Sequence, residues 1–258
     1  MSAVGALLTV DVLLPFAAFW SLVALTIASR EARARLCAKP LDAWILDVTG
    51  LLVQGALVPL VELTLVVALL DVAAPSLKGA LTLPWWQAAL LNLVVVDYLY
   101  YWNHRALHAR ALWPIHAVHH SVTDMDVLAT SRNPLWASFL IVYVWVNGAL
   151  AYALMDARPF VVAASVTAAL DLWRHSRFGP RRGGALHRAL SLVVVTPSDH
   201  AWHHARATDG GAHGNYGANL SLWDRMHGTW IARDDEPAAL GDAVALPLWK
   251  RLLWPFGA

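Results

Sequence analysis

PWWQAALLNLVVVDYLYYWNHRALH, residues 84–108, decides how the rest of the chain is read. Residues 84–103 are apolar enough to cross a hydrocarbon core about 30 Å thick, which takes about 20 residues of helix. The stretch then leaves the apolar phase with two histidines. Asp97, Tyr101, His104 and His108 stand at i, i+4, i+7 and i+11, so they line one helical face. An ionisable residue inside such a span is a functional candidate by default. Asp97 is therefore read as the acceptor for the distal N–H of a ligand histidine, fixing its tautomer. The plainer alternative is a buried carboxylate bonded to Asn92 or to backbone.

Further apolar stretches surround this one. The chain of 258 residues is 58% hydrophobic and 14% charged, with mean hydropathy +0.50. Soluble domains carry about 25% charged residues, so the excess apolar surface is expected to face lipid. Residues 3–28 form one candidate span, and with no basic segment before them they read as a retained helix, not a cleaved signal. Residues 41–74 are overlong and interrupted by Gly50, Gly55 and Pro59, consistent with one tilted helix or a bent hairpin. Residues 134–154 and 158–174 complete the set and read as a hairpin. The expected fold is all-α, with four to six transmembrane helices and a cytoplasmic helical cap over a histidine-rich dinuclear site. Residues 1–84 supply N-terminal spans and residues 85–258 the catalytic region, integrated as one domain.

If residues 41–74 cross once, Lys78 and Arg158 fall on one side and every other lysine and arginine on the other. The positive-inside rule makes that second side cytoplasmic, with the loop Arg30, Arg33, Arg35, Lys39 as the best marker. All the histidine clusters land there too. A formal net charge of +1 with no contiguous basic face gives no case for nucleic acid. A single Cys37 excludes an intramolecular disulfide and a cysteine-based zinc site.

Of twelve histidines, eight are grouped as His104/His108, His116/His119/His120 and His200/His203/His204. Imidazoles three and four apart share a helical face, so each group offers several ligands together. Eight exceed the four of one tetrahedral site, and two metals are the economical reading. WPIHAVHHS (113–121) has Pro114 at a helix start, and Thr196, Pro197 and Asp199 form an N-cap, a first-turn proline and a capping box before the third group. Both triplets are expected to open short helices. Asp199 is assigned to capping. His175 follows Asp171 by four residues, repeating the carboxylate-behind-imidazole spacing of Asp97, and is taken as a ninth ligand. His187, His213 and His227 belong to no cluster and are left out. Imidazole suits iron, zinc, copper and nickel alike, so spacing does not name the metal.

DYLYYWNHRALH (97–108), IHAVHHS (115–121) and TPSDHAWHH (196–204) resemble the three histidine boxes of the fatty acid hydroxylase and sterol desaturase superfamily of membrane di-iron enzymes. NYGANLSLWDRMHGTW (215–230) resembles its closing motif. DLWRHSRF (171–178) resembles the segment holding its extra histidine, closest to the alkylglycerol monooxygenase branch, which supports His175. Asp199 and His227 depart from the residues usual at those positions. The resemblance implies two irons under the nine histidines, with dioxygen as co-substrate; zinc is the metal that purification would substitute. It implies hydroxylation of a lipid-like substrate (fatty acyl, sterol, ether lipid or carotenoid), with desaturation at the same centre as the alternative. Asp97, Asp171, Asn215 and Asp224 are expected to support the ligands from behind.

No flavin fingerprint, haem motif or CxxC pair is present, so electrons must come from a separate donor such as a ferredoxin or cytochrome with its reductase. Arg174, Arg177, Arg181 and Arg182 are its expected docking face, or serve topology and lipid headgroups instead. A membrane zinc hydrolase lacks support because HExxH is absent and no glutamate lies beside a cluster. A metal transporter would place its ionisable residues along the spans, whereas these histidines sit at span ends.

Overall fold

The computed structural model describes residues 10–206 and 214–254. Their regular structure is all helical, with isolated bridges and no strands among the described residues. Helix α1, Val10–Ala28, turns by 95° at Ser29 into α2, Arg30–Ala38. Ser29 makes that corner because its side chain caps the new helix, accepting from the Ala32 N–H. The chain before residue 10, which the 3–28 span includes, lies outside the described residues.

The overlong stretch resolves as one helix, α3, Leu41–Ala73. Its glycines do not fold it into a hairpin. Instead Gly50–Leu57 runs as a π-helical segment, and Pro59 sits in the first turn of the α-helical continuation, where its missing N–H costs nothing. Gly50 permits a close crossing, since a Cβ there would lie 2.3 Å from the Ser131 carbonyl oxygen. Helix α4 runs through residues 85–107, again with a π-helical middle, Leu91–Val96.

After α4 come a single turn, α5, Trp113–His116, and two longer helices, α6, Val142–Ala153, and α7, Arg158–Arg174. The 134–154 stretch is thus α-helical only from Val142, with a 3-10 turn at Ala137–Leu140 before it. Its first half is tied elsewhere, because the Ser138 backbone N–H donates to the Gln54 side chain on α3. Among the described residues, one helix, α3, is long and apolar enough to cross a membrane, or two spans are if the bent α1–α2 pair counts as one. The cap adds α8, Ala185–Leu190, α9, Pro197–His203, α10, Leu222–His227, and α11, Leu248–Leu253.

Helix α1 packs on α7, α3 on α6, and α7 on α4. Ala88, Val96, Leu154 and Phe160 form the buried contact at one end. The same end carries the Leu81–Leu154 bridge, so the 75–83 and 154–158 turns meet there. Helix α4 starts beside them at Trp85 and reaches the histidines about 30 Å away, at 1.5 Å per residue. Outer faces remain apolar: Phe16, Trp20, Leu52, Leu60, Leu69 and Val72 are all more than half exposed.

Candidate metal centre

Nine imidazoles gather where α4, α5, α7 and α9 end. They form two groups, His104, His108, His116, His120 and His203 in one, and His119, His175, His200 and His204 in the other. Within each group one ring nitrogen per residue lies within 4.8 Å of the rest. His104 is in the last turn of α4 and His108 is its C-cap; His175 and His204 likewise close α7 and α9. The middle cluster is not one helix. His116 ends the single turn of α5, and His119 and His120 lie on a following 3-10 turn, which sends the two neighbours to different groups.

Four of the rings are oriented by main-chain carbonyls. His104 Nδ1 donates to Tyr216 O at 2.8 Å, His203 Nδ1 to Gly214 O at 2.8 Å, His175 Nδ1 to Asp171 O at 2.8 Å, and His119 Nδ1 to Arg132 O at 3.3 Å. A carbonyl only accepts, so Nδ1 carries the hydrogen in each of these rings, and a ring that is neutral then has its lone pair on Nε2. His119 Nε2 and His175 Nε2 face each other at 3.4 Å, lone pair to lone pair. His200 Nε2 lies 3.0 Å from His175 Nε2 and 3.1 Å from His204 Nε2, while the Nδ1 atoms of His200 and His204 have no protein partner.

Burial and neighbouring rings push His104, His116, His120, His200 and His204 well below the ordinary histidine range, and burial with His175 takes His119 down to about 3. Convergent imidazoles, four of them with the second nitrogen held by a carbonyl, are the donor set of a metal site, and five plus four of them fit two ions.

The supporting residues act differently from the sequence expectation in one case. Asp97 does not accept from a ligand ring. Its carboxylate takes Asn219 N at 3.1 Å, Asn219 Nδ2 at 2.8 Å, Leu220 N at 3.0 Å and Trp223 Nε1 at 2.8 Å. The reason is steric: the closing segment comes between α4 and the rings, and its Tyr216 carbonyl reaches His104 first. Asp171 does stand behind His175, by its backbone carbonyl and with its carboxylate 3.2 Å from Nδ1, while also pairing with Arg174.

Asn215 adopts φ +55, a left-handed conformation that asparagine tolerates better than most side chains. It is pinned there by Nδ2 donating to Asp199 O at 3.0 Å and by Oδ1 accepting the Ile231 N–H at 2.8 Å. The inversion presents the carbonyls of 214 and 216 to the two rings on either side. Asp224 holds the same turn, accepting from Tyr216 N at 2.8 Å and Gly217 N at 2.7 Å. Burial raises its carboxyl above the ordinary range despite those donors. Asp199 closes the capping box with Thr196 that starts α9.

Residues that sequence reasoning missed lie behind His119. Arg132, whose carbonyl holds that ring, donates through Nε to Asp47 at 2.6 Å, and Lys39 Nζ bridges Asp47 and Asp126 at 2.6 Å each. All four are buried, and no motif marks them. His187 and His227 join neither group. His187 lies 3.3 Å from the Asp199 carboxylate, and His227 stacks among Tyr98, Tyr101 and Trp102. His213 lies outside the described residues. Arg174, expected on a docking face, is 4% exposed and bonds the Ala218 carbonyl, because its side chain turns inward beside Asp171. Arg177 pairs with Asp124 and Arg182 donates to Ser198 O.

A cavity of about 360 Å³ runs from His104, His116, His119, His175 and His200 between α1, α3, α4, α6 and α7. Phe19, Leu51, Pro59, Val96, Ile141 and Leu172 give it mostly apolar walls. It lies at the small end of the range of ligand pockets.

The sequence profile of the fatty acid hydroxylase family matches residues 89–229. An ornithine lipid hydroxylase of Rhizobium tropici is 33% identical over 55% of this chain and 41% of its own. An alkylglycerol monooxygenase of Danio rerio is 31% identical over 60% and 34%, and a very-long-chain aldehyde decarbonylase of Arabidopsis thaliana 28% identical over 59% and 26%. The aligned region therefore spans less than half the length of these curated relatives. No solved structure matches. With more than half its length under the profile, including all nine histidines of the two groups, the chain belongs to the fatty acid hydroxylase family.

Proposed function

We propose that the protein is a membrane-bound di-iron oxygenase that hydroxylates a lipid-like substrate with dioxygen and external electrons. The observation that carries this is the apolar cavity ending on two sets of convergent imidazoles. His104, His108, His116, His120 and His203 would hold one iron, and His119, His175, His200 and His204 the other. Bound there, the irons supply the oxidising power to take a hydrogen atom from an unactivated C–H bond. In the balanced reaction one oxygen atom enters the product and the other leaves as water, with two electrons and two protons supplied from outside.

The protein's own contribution is positional. Carbonyls fix the rings before any substrate arrives, the walls exclude water, and the cavity directs a chain toward the histidine end. The exposed apolar belts of α1 and α3 support membrane integration, with α4, α6 and α7 as further, shorter crossings around the cavity. Lys78 and Arg158 at the far end and the basic residues near the histidines support a cytoplasmic metal face. A separate donor, a ferredoxin or a cytochrome with its reductase, would approach the cap near Arg177 and Arg181.

The direct test expresses the chain with a donor system beside an inactive His119→Ala control and compares extracted lipids by mass. Hydroxylation adds one oxygen, which carries the isotope when cells grow under heavy dioxygen. A product two hydrogens lighter and without label would replace hydroxylation by desaturation at the same centre. No lipid change with a competent donor and loaded iron would overturn the oxygenase reading.

A further inference from the structure

The two π-helical segments, on α3 and α4, both face the cavity, and each brings one carboxamide to its wall. Such segments arise where a helix carries an extra residue and often mark functional positions. The two amides are not equivalent. Asn92, on Leu91–Val96, donates its Nδ2 to Asn147 Oδ1 at 2.9 Å and accepts from Thr167 at 3.3 Å, so this cluster is satisfied internally and serves as interhelical glue. Gln54, on Gly50–Leu57, is 5% exposed, and its Oε1 accepts both the Ser138 N–H, at 3.0 Å, and the Ser138 hydroxyl. Its Nε2 is buried on the cavity wall with no protein acceptor. Turning the amide over would set Nε2 against the Ser138 N–H, donor to donor, so the Ser138 N–H fixes the orientation, the hydroxyl being able to donate or accept.

Gln54 also stands on the reactive side of the chamber. Gly50 and Gly55 flank it, and both abut Ser131. The next residue is Arg132, whose carbonyl orients His119. A buried donor left unsatisfied is costly, and a site built around one discriminates strongly against ligands that cannot accept from it.

We infer that Gln54 Nε2 is the hydrogen-bond donor that selects the substrate, by gripping an acceptor oxygen on a lipid chain inside the cavity. This rests on reading the cavity as the substrate chamber. It narrows the substrate class to chains that carry a carbonyl, ether or hydroxyl oxygen in the chamber, over plain hydrocarbons such as an unoxygenated carotenoid.

The test uses metal-loaded full-length protein in detergent, equilibrated with equal amounts of hexadecyl acetate and eicosane, then washed and extracted for mass spectrometry. Gln54→Glu keeps an oxygen for both Ser138 donors, which favour its ionised form, while replacing the cavity-facing donor with an acceptor. Gln54→Met deletes the donor without charge. The wild type should retain the ester over the alkane by about tenfold relative to protein-free micelles, and both variants should lose that preference while still holding eicosane and metal. Both probes retained by the wild type without preference, or a preference that survives in the variants, would overturn the assignment alone. Neither probe retained by the wild type would overturn the chamber itself, and the assignment with it.

Discussion

The two histidine groups differ in what holds them. The five-histidine group depends on the closing segment, since His104 and His203 donate to the carbonyls of Tyr216 and Gly214, and that turn hangs on Asp97, Asn215 and Asp224. The four-histidine group depends on the start of α3 and the end of α7. Its His119 is held through Arg132 by Asp47, Lys39 and Asp126, and its His175 by Asp171 with Arg174. One half of the centre is thus tied to a buried closing turn held by carboxylates and an asparagine, and the other to a buried ion network, so the two halves should be separable by mutation.

The largest effect should come from the ligands. His119→Ala and His203→Ala should each lower activity by at least about 100-fold and reduce metal from about two ions per chain to about one, emptying different groups. Elemental analysis of each variant reads this, and loss of both ions together would show the groups to be one unit. Next, Arg132→Met leaves part of a buried charge network unpaired, a change that costs about 3–5 kcal/mol. Melting should fall accordingly, with metal lost from the four-histidine group first. Asp97→Asn removes acceptors for the closing segment and should weaken the five-histidine group about 10- to 100-fold, leaving the other loaded.

The pH dependence of the metal-free protein should follow the buried rings. His119 titrates near 3 when folded and near 6.5 when unfolded, so the unfolded chain binds the extra proton between those values. Stability contributed by this ring is full above pH 6.5 and falls by about 1.4 kcal/mol per unit as pH drops toward 3. Thermal melts from pH 8 to pH 5 measure it, and added zinc should shift the loss to lower pH. The smallest effect belongs to His187→Gln. It should change metal content and activity by less than about twofold, because the ring meets the Asp199 carboxylate and no ligand nitrogen.

Much of this was legible before any coordinates. The i, i+4 spacing of His104 with His108, and of His200 with His204, reports shared faces directly, whereas His203 turns to the other group. The Thr196–Asp199 capping box was readable because a cap is a local pattern. What escaped is non-local or carried by backbone. Asp97 was expected behind a ligand ring because spacing sees its own helix and not the segment 122 residues later that inserts above it. Lys39, Asp47, Asp126 and Arg132 come from three stretches with no motif in common. The failure of residues 134–141 to continue α6 follows from a side chain on α3 claiming the Ser138 amide, which no periodicity encodes.

The carbonyls at 132, 171, 214 and 216 have a consequence for how this centre tolerates change. Every residue brings the same main-chain acceptor, whatever its side chain, so replacing Arg132 or Tyr216 cannot delete the contact to His119 or His104; it can only displace it. The orientation of those four rings is therefore inherited with the backbone path, and a side-chain substitution reaches it only by displacing that path. A single insertion near 214–216 would misplace two rings at once.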